Sequence, residues 1–164
     1  MDILDTQVDP FREMELLEHI EHDPDVTQAS LAALLGVAVG TVNWHIKRLV
    51  EKGYVKVKRA QRRKLRYIIT PEGIALRARL TVNYIEQSMQ LYRRVRYKVR
   101  ELIAEARRAG YDHLRIEGEG DIADICRLTC LEQNIKVNND PNSPVLLVRG
   151  VKVHLQIDKE GDKP

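Results

Sequence analysis

The sequence predicts an α+β protein in three parts. A helical N-terminal segment closes with a hairpin (1–73), one long helix follows (74–109), and a small α/β segment ends the chain (110–164). Three observations carry this expectation. After Gly53 the apolar period changes from about 3.6 residues to 2, so helices give way to strands. From Ile74 to Ala109 there is neither Gly nor Pro. Beyond Gly110, strand-like and helix-like runs alternate. The 164 residues allow one domain or two small ones. With 43% hydrophobic residues but only one Phe, one Trp and six Tyr, the core must be mainly aliphatic.

The first helix starts at Asp9-Pro10, a cap residue followed by the residue that suits the first helical position. Phe11, Met14, Leu17 and Ile20 recur at three-residue steps and predict one inward face, and Asp23-Pro24 ends the helix. Thr27 caps a second helix through Leu35, with Leu31, Leu34 and Leu35 inward and Gly36 as its stop. A third helix runs from about Ala38 to Lys52, with Val42, Ile46 and Leu49 inward. Three short helices, the last two joined by a tight turn, form a helix-turn-helix pattern.

"YVKVKR" and "KLRYII" then alternate as the strands of a hairpin with "AQRR" near its tip. Thr70-Pro71-Glu72 restarts a helix as cap, first position and first-turn acid. At ~1.5 Å per residue the helix from Ile74 to Ala109 is roughly 50 Å long, too long to be covered by a domain of this size. Ala78, Ile85, Tyr92, Val99 and Ala106 recur every seven residues. Val82, Met89 and Ile103 fill the seam between them, and Arg96 breaks it. This is a coiled-coil pattern over about four heptads, and it predicts a homodimer stalk. The rest reads as a strand (Leu114–Glu117), a helix (Asp121–Gln133), a strand (Ile135–Val137) and a hairpin about Arg149-Gly150, with Lys159–Pro164 as a frayed tail.

Charge is distributed unevenly. Residues 1–25 hold nine acids and one base, and residues 47–66 hold ten bases and one acid. The net charge of +3 hides a basic middle, which suggests a local polyanion site. The outer face of the third helix carries Gly40, Thr41, Asn43, Trp44, Lys47 and Arg48. Such a face fits a major groove, where Asn and Thr read base edges and Lys and Arg read guanine or phosphate. The hairpin adds Lys58, Arg59, Arg62, Arg63 and Lys64, with Arg62 and Arg63 placed for a minor groove.

"LAALLGVAVGTVNWHIKRLVEKGYVKVK" followed by "YIITPEG" resembles a winged helix-turn-helix bacterial transcription regulator of the MarR-like group. "VGTVNWHIKRLVEKGYVKV" and "TPEGIALRARLTVNYI" are similar to the EPS-associated regulators within it, over about residues 11–96. The resemblance implies a homodimer on double-stranded DNA, with contacts at Thr41, Asn43, Trp44, Lys47 and the wing arginines. Typical members wrap helices from both chain ends into the dimer interface. Here one long helix must serve, which puts the group's usual ligand pocket in doubt.

Two further patterns are candidates. Gly118, Gly120 and Ala123 fit G-x-G-x-x-(G/A) after a strand, with Asp140 twenty residues beyond Gly120, as in a Rossmann-like ligand site. Glu117, Glu119 and Asp121 oppose a pyrophosphate there, and only about fifty residues remain for a sheet. Cys126 and Cys130 share a helix face and read first as small core residues, then as a redox pair or, with His113 or His154, metal ligands. No catalytic set, resident metal or cofactor is expected. No apolar run reaches the ~20 residues of a membrane span, and "MDILDTQVDP" lacks signal-peptide order, so a soluble cytoplasmic protein without membrane contact is expected. The alternatives are a protein-interaction module anchored on Trp44, and a regulator gated by a small-molecule effector or redox state through its C-terminal segment.

Overall fold

The computed structural model describes residues 8–61 and 64–157. The chain divides into two compact units, Met1–Glu86 and Gln87–Pro164. In the first, helices α1 (Pro10–His22), α2 (Gln28–Leu35) and α3 (Val39–Glu51) precede strands β1 (Val55–Arg59) and β2 (Leu65–Ile69). Helix α4 (Pro71–Arg108) begins in this unit and ends in the second. The second unit adds β3 (His113–Glu117), α5 (Asp121–Glu132), β4 (Lys136–Val137), β5 (Val145–Arg149) and β6 (Lys152–Gln156). The boundary therefore falls inside the long helix, which is shared between the units rather than standing as a segment of its own.

The helix starts and stops follow local chemistry. Asp9 Oδ1 accepts from the N–H groups of Phe11 and Arg12, and Thr27 Oγ1 accepts from that of Ser30. These bonds satisfy first-turn donors that have no partner within the helix. Gly36 ends α2 at φ 64°, a left-handed conformation that suits glycine. The core of the first unit joins Leu16, Leu17, Ile20, Leu31, Val42, Ile46 and Leu49 to Val55, Tyr67 and Leu76. Two expected inward residues differ. Leu34 is 60% exposed, because an eight-residue helix with one buried stripe faces the core through Leu31 and Ala32. Phe11 is 40% exposed and leans on Tyr84 of α4, with ring centroids 5.0 Å apart, while Leu16 takes the inward place.

Strands β1 and β2 pair antiparallel, from Val55 opposite Ile69 to Arg59 opposite Leu65. The Tyr67 N–H donates to the Pro24 carbonyl and moors β2 to the α1–α2 loop. At the far end Thr70 Oγ1 donates to the Gly53 carbonyl at 2.7 Å and accepts from the Gly73 N–H at 3.1 Å. A Cβ on Gly73 would lie 2.1 Å from the Tyr54 carbonyl oxygen. Glycine at this position is therefore a packing requirement.

In the second unit the sheet order is β4-β3-β5-β6. Strand β3 runs parallel to β4 and β5, and β6 closes the edge antiparallel to β5. Leu114, Leu146 and Val153 share one sheet face with Val95, Val99, Ile103 and Ala106 of α4 and with Ile122, Cys126 and Cys130 of α5. Both helices thus cover one face of the sheet. Two expected dimer-seam residues are corrected here. Val99 and Ile103 are buried in this core, since the small sheet supplies the cover that their seam requires. Arg96, the break in the seam, pairs with Glu132 of α5 at 2.7 Å. Along the middle of α4, Ala78, Val82, Ile85 and Met89 stay exposed and Tyr92 is half-buried.

Replacing Gly73 with Ala is expected to destabilise the first unit by ~1–3 kcal/mol, the usual range for overpacking. Thermal unfolding followed by circular dichroism measures it; an unchanged midpoint would remove the packing explanation.

Candidate nucleic-acid interface

Helix α3 is held by its inner stripe, Val42, Ile46 and Leu49, all nearly inaccessible. The outer residues then separate into two groups. Gly40 and Lys47 are exposed, and a Cβ at Gly40 would meet nothing within 4 Å. Close approach of a ligand backbone to this turn is therefore sterically open. Asn43 is half-buried, and its Oδ1 accepts from Gln28 Nε2 at 3.4 Å, while the same nitrogen donates to the Tyr67 hydroxyl at 3.1 Å. Gln28 thereby fixes Asn43 against the wing strand.

Of the remaining three, Thr41 and Arg48 differ from expectation. Thr41 is 8% exposed, because it lies next to Val42 on the inner side of the first turn. Trp44 is half-buried, with its ring edge-on to the neighbouring His45 at 4.8 Å, and keeps part of its surface open. Arg48 turns back to Glu13 of α1, and its guanidinium donates to the carboxylate. It anchors α3 to α1 instead of projecting outward.

That anchor is a buried polar cluster. Glu13 is 4% exposed and His45 1%. His45 Nδ1 stands 3.8 Å from Glu13 Oε1, beyond hydrogen-bond length, and among the described residues neither ring nitrogen has a hydrogen-bond partner. Burial pushes the Glu13 carboxyl up, but the neighbouring His45 and Arg48 outweigh it and hold the group below its ordinary value. The sequence did carry a signal. Glu13 falls on the inward face of α1 beside Met14, and His45 falls between Val42 and Leu49 on that of α3.

The basic middle of the chain is partly matched by the acidic start. Besides Glu13 with Arg48, Glu21 pairs with Arg77 at 2.8 Å and Asp25 with Arg66 at 3.4 Å. Among the described residues, Lys47, Lys58, Arg59 and Lys64 make no such pair and are exposed. Strand alternation places Arg59 on the face of Val57, Leu65 and Tyr67, and Lys58 on the opposite face with Arg66. Arg62 and Arg63, expected at the hairpin tip, lie outside the described residues. Between α3 and the hairpin lies a cleft of about 490 Å³ that includes Asn43, Lys47, Val50, Val57, Leu65 and Tyr67. Amide and ammonium donors beside aliphatic surface can meet base edges and a thymine methyl together.

The candidate sites of the second unit are explained by packing. A Cβ on Gly118 would lie 2.6 Å from Val148 Cβ, and Gly118 has φ 134°, so the first glycine of the G-x-G pattern serves the contact with β5. Gly120, at φ 81°, caps α5. Cys126 and Cys130 are free and fully buried. Burial pushes both thiols up to about 11, so neither is a reactive thiolate at neutral pH.

Three helices, a tight α2–α3 turn and a hairpin moored beside α3 define a winged helix-turn-helix domain. Residues 12–56 match the family described as winged helix-turn-helix DNA-binding. A crystal structure of Streptococcus pneumoniae FabT in complex with DNA is similar over 48% of this chain and 56% of that one, at 28% identity and a TM-score of 0.40. The chain thus spans little more than half of that protein's length. A MarR family transcription regulator is similar over 64% of this chain and 78% of its own, at 17% identity and a TM-score of 0.43. No curated protein matches the sequence.

Replacing Glu13 with Gln is expected to cost ~1–3 kcal/mol, the scale of a charge-assisted hydrogen bond left unmade in a buried site. The sign of its pH dependence follows from the depressed carboxyl. Its stabilisation is present above the unfolded-state value near 4.5 and is lost as pH falls from there through the lower folded-state value. Chemical denaturation at several pH values should show a steeper acid loss in the parent than in the Gln variant; parallel curves would remove Glu13 from the account.

Proposed function

We propose that the chain is a sequence-specific, DNA-binding regulator of transcription that acts as a homodimer. One observation carries the reading. Within and beside the segment that matches a DNA-binding family, Lys47 and the wing cations Lys58, Arg59 and Lys64 remain exposed and form no ion pair with a described acid, although Glu51 lines the same cleft as Lys47. Helix α3 enters the major groove, with Lys47 and the Gln28-braced Asn43 at base edges. The wing follows the phosphates. Arg48 contributes indirectly, by holding α3 at a fixed angle on α1.

The dimer reading rests on α4. Val82, Ile85 and Met89 are 53%, 54% and 45% exposed and follow Ala78 at alternating steps of four and three. Such a seam pairs with a second copy of itself in a coiled coil. The shortened seam, from Ala78 to Tyr92, covers about two heptads.

Duplex DNA titrated by fluorescence anisotropy at several salt concentrations tests the first part. Replacing Lys58 and Arg59 together with Ala should weaken binding to all duplexes and lower the salt slope by about two units. Replacing Lys47 with Ala should narrow the gap between preferred and random duplex by ~1–3 kcal/mol. Binding that ignores both changes would overturn the interface. Because Ile85 is exposed in the single chain, Ile85→Asp should leave the fold intact and shift sedimentation toward monomer; an unchanged dimer would overturn the seam.

A further inference from the structure

The second unit contains a cleft that the DNA-binding reading does not use. It measures about 450 Å³ and lies between α4 and β6. That volume falls in the range of small-molecule sites, ~300–1,000 Å³. Its floor is aliphatic, formed by Leu91, Val95 and Val153. Val95 and Val153 are each 4% exposed and belong to the packed core, so the floor is an extension of a rigid surface. Its rim carries the cations Arg94 and Lys98 of α4, with Lys152 and His154 of β6 at its edge, and among the described residues no acid lines it.

The cations around this cleft are poorly matched within the molecule. Lys98 has a loose contact with Glu101 at 3.8 Å, with both side chains about half exposed. Arg94 and Lys152 make no ion pair with any described acid. Strand β6 is also the edge of the sheet, so four consecutive residues, Val151 to His154, reach the cleft. An edge strand presents backbone N–H groups that lack a sheet partner. Apolar floor, cationic rim and spare donors together match one ligand chemistry.

We infer that the α4–β6 cleft of the C-terminal unit binds a small organic anion, a carboxylate or phosphate head on a compact apolar body. The body lies on Leu91, Val95 and Val153, and the head meets Arg94 and Lys98 of the helix at the rim. A purely apolar ligand would leave the rim without a partner. A bare inorganic anion would leave the floor wet. This site stands independently of whether the first unit binds DNA.

The test uses the full chain without DNA. The probes are 2-naphthoate, its uncharged isostere 2-naphthamide, and inorganic phosphate, each titrated while methyl NMR signals are followed. Naphthoate should saturate one site per chain and shift the methyls of Leu91, Val95 and Val153. Naphthamide and phosphate should each bind at least about tenfold more weakly, since each lacks one half of the interaction. Arg94 and Lys98 are exposed, so replacing both with Ala should preserve the fold. That double variant should weaken naphthoate by about tenfold while leaving naphthamide unchanged. Equal binding of naphthoate and naphthamide would reduce the cleft to an apolar patch. Phosphate binding as tight as naphthoate would reduce it to a cationic surface of the kind a nucleic acid or acidic protein meets. Naphthoate binding that ignores the double substitution, or shifts other methyls, would place it elsewhere. Each of these three results overturns the inference.

Discussion

The first turn of α4 sits directly on the carbonyl of Tyr54, and the N-terminal unit is organised around that close approach. The Thr70 side chain and backbone tie the end of β2 to Gly53 and Tyr54, the residues that leave α3. Gly73 lacks the Cβ that would collide with the same carbonyl. One small knot of backbone thus fixes where α3 ends, where the hairpin closes and where α4 begins. The T-P-E-G run couples hydrogen bonding to packing: Thr caps, Pro starts the helix without needing a donor, and Gly admits the neighbouring strand.

A second constraint governs the outer surface of α3. The inner stripe alone would let the helix roll, because apolar contacts are not directional. The Glu13–Arg48 pair is directional, with its carboxylate shielded from water while the Arg48 side chain stays 31% exposed. Taking a carboxylate out of water is costly, and a nearby guanidinium and imidazole offset that cost. The same pairing withdraws one arginine from the surface and leaves Lys47 as the exposed cation of α3 next to the wing. An acidic helix beside a basic one therefore serves a structural purpose as well as setting the charge pattern.

In the second unit, covering the sheet decides the fate of the helix seam. Leu114, Leu146 and Val153 need an apolar partner on one face, and the last turns of α4 supply it together with α5. The stripe on α4 is continuous in sequence, but its C-terminal part is consumed by this core. Arg96 marks the transition, because its ion pair with Glu132 belongs to the α4–α5 packing. The cysteines take part in the same core as small apolar residues, and burial removes their nucleophilic character.

Local signals determined much of this protein from sequence. Caps at Asp9, Thr27 and Thr70, stops at Gly36, Gly53 and Gly110, and the change of period at Gly53 set the element order, because each acts within a few residues. The inner stripe of α3 and the exposure of Lys47, Lys58 and Arg59 follow from periodicity alone. Only tertiary structure could decide which residues on the flanks of that stripe are covered. Arg48 lies on the flank of α3 that it shares with Thr41, and only its ion pair with Glu13 of α1 shows that this flank is the covered one. Gln28 reaches Asn43 across fifteen residues and Tyr67 across thirty-nine. Val99 and Ile103 fit a heptad as well as Val82 and Ile85 do, and only the position of the small sheet separates a covered stripe from an open one. The α4–β6 cleft joins segments more than fifty residues apart, so no local window contains it. A sequence specifies the periodicity of a surface, whereas its partner is decided by what the rest of the chain brings against it.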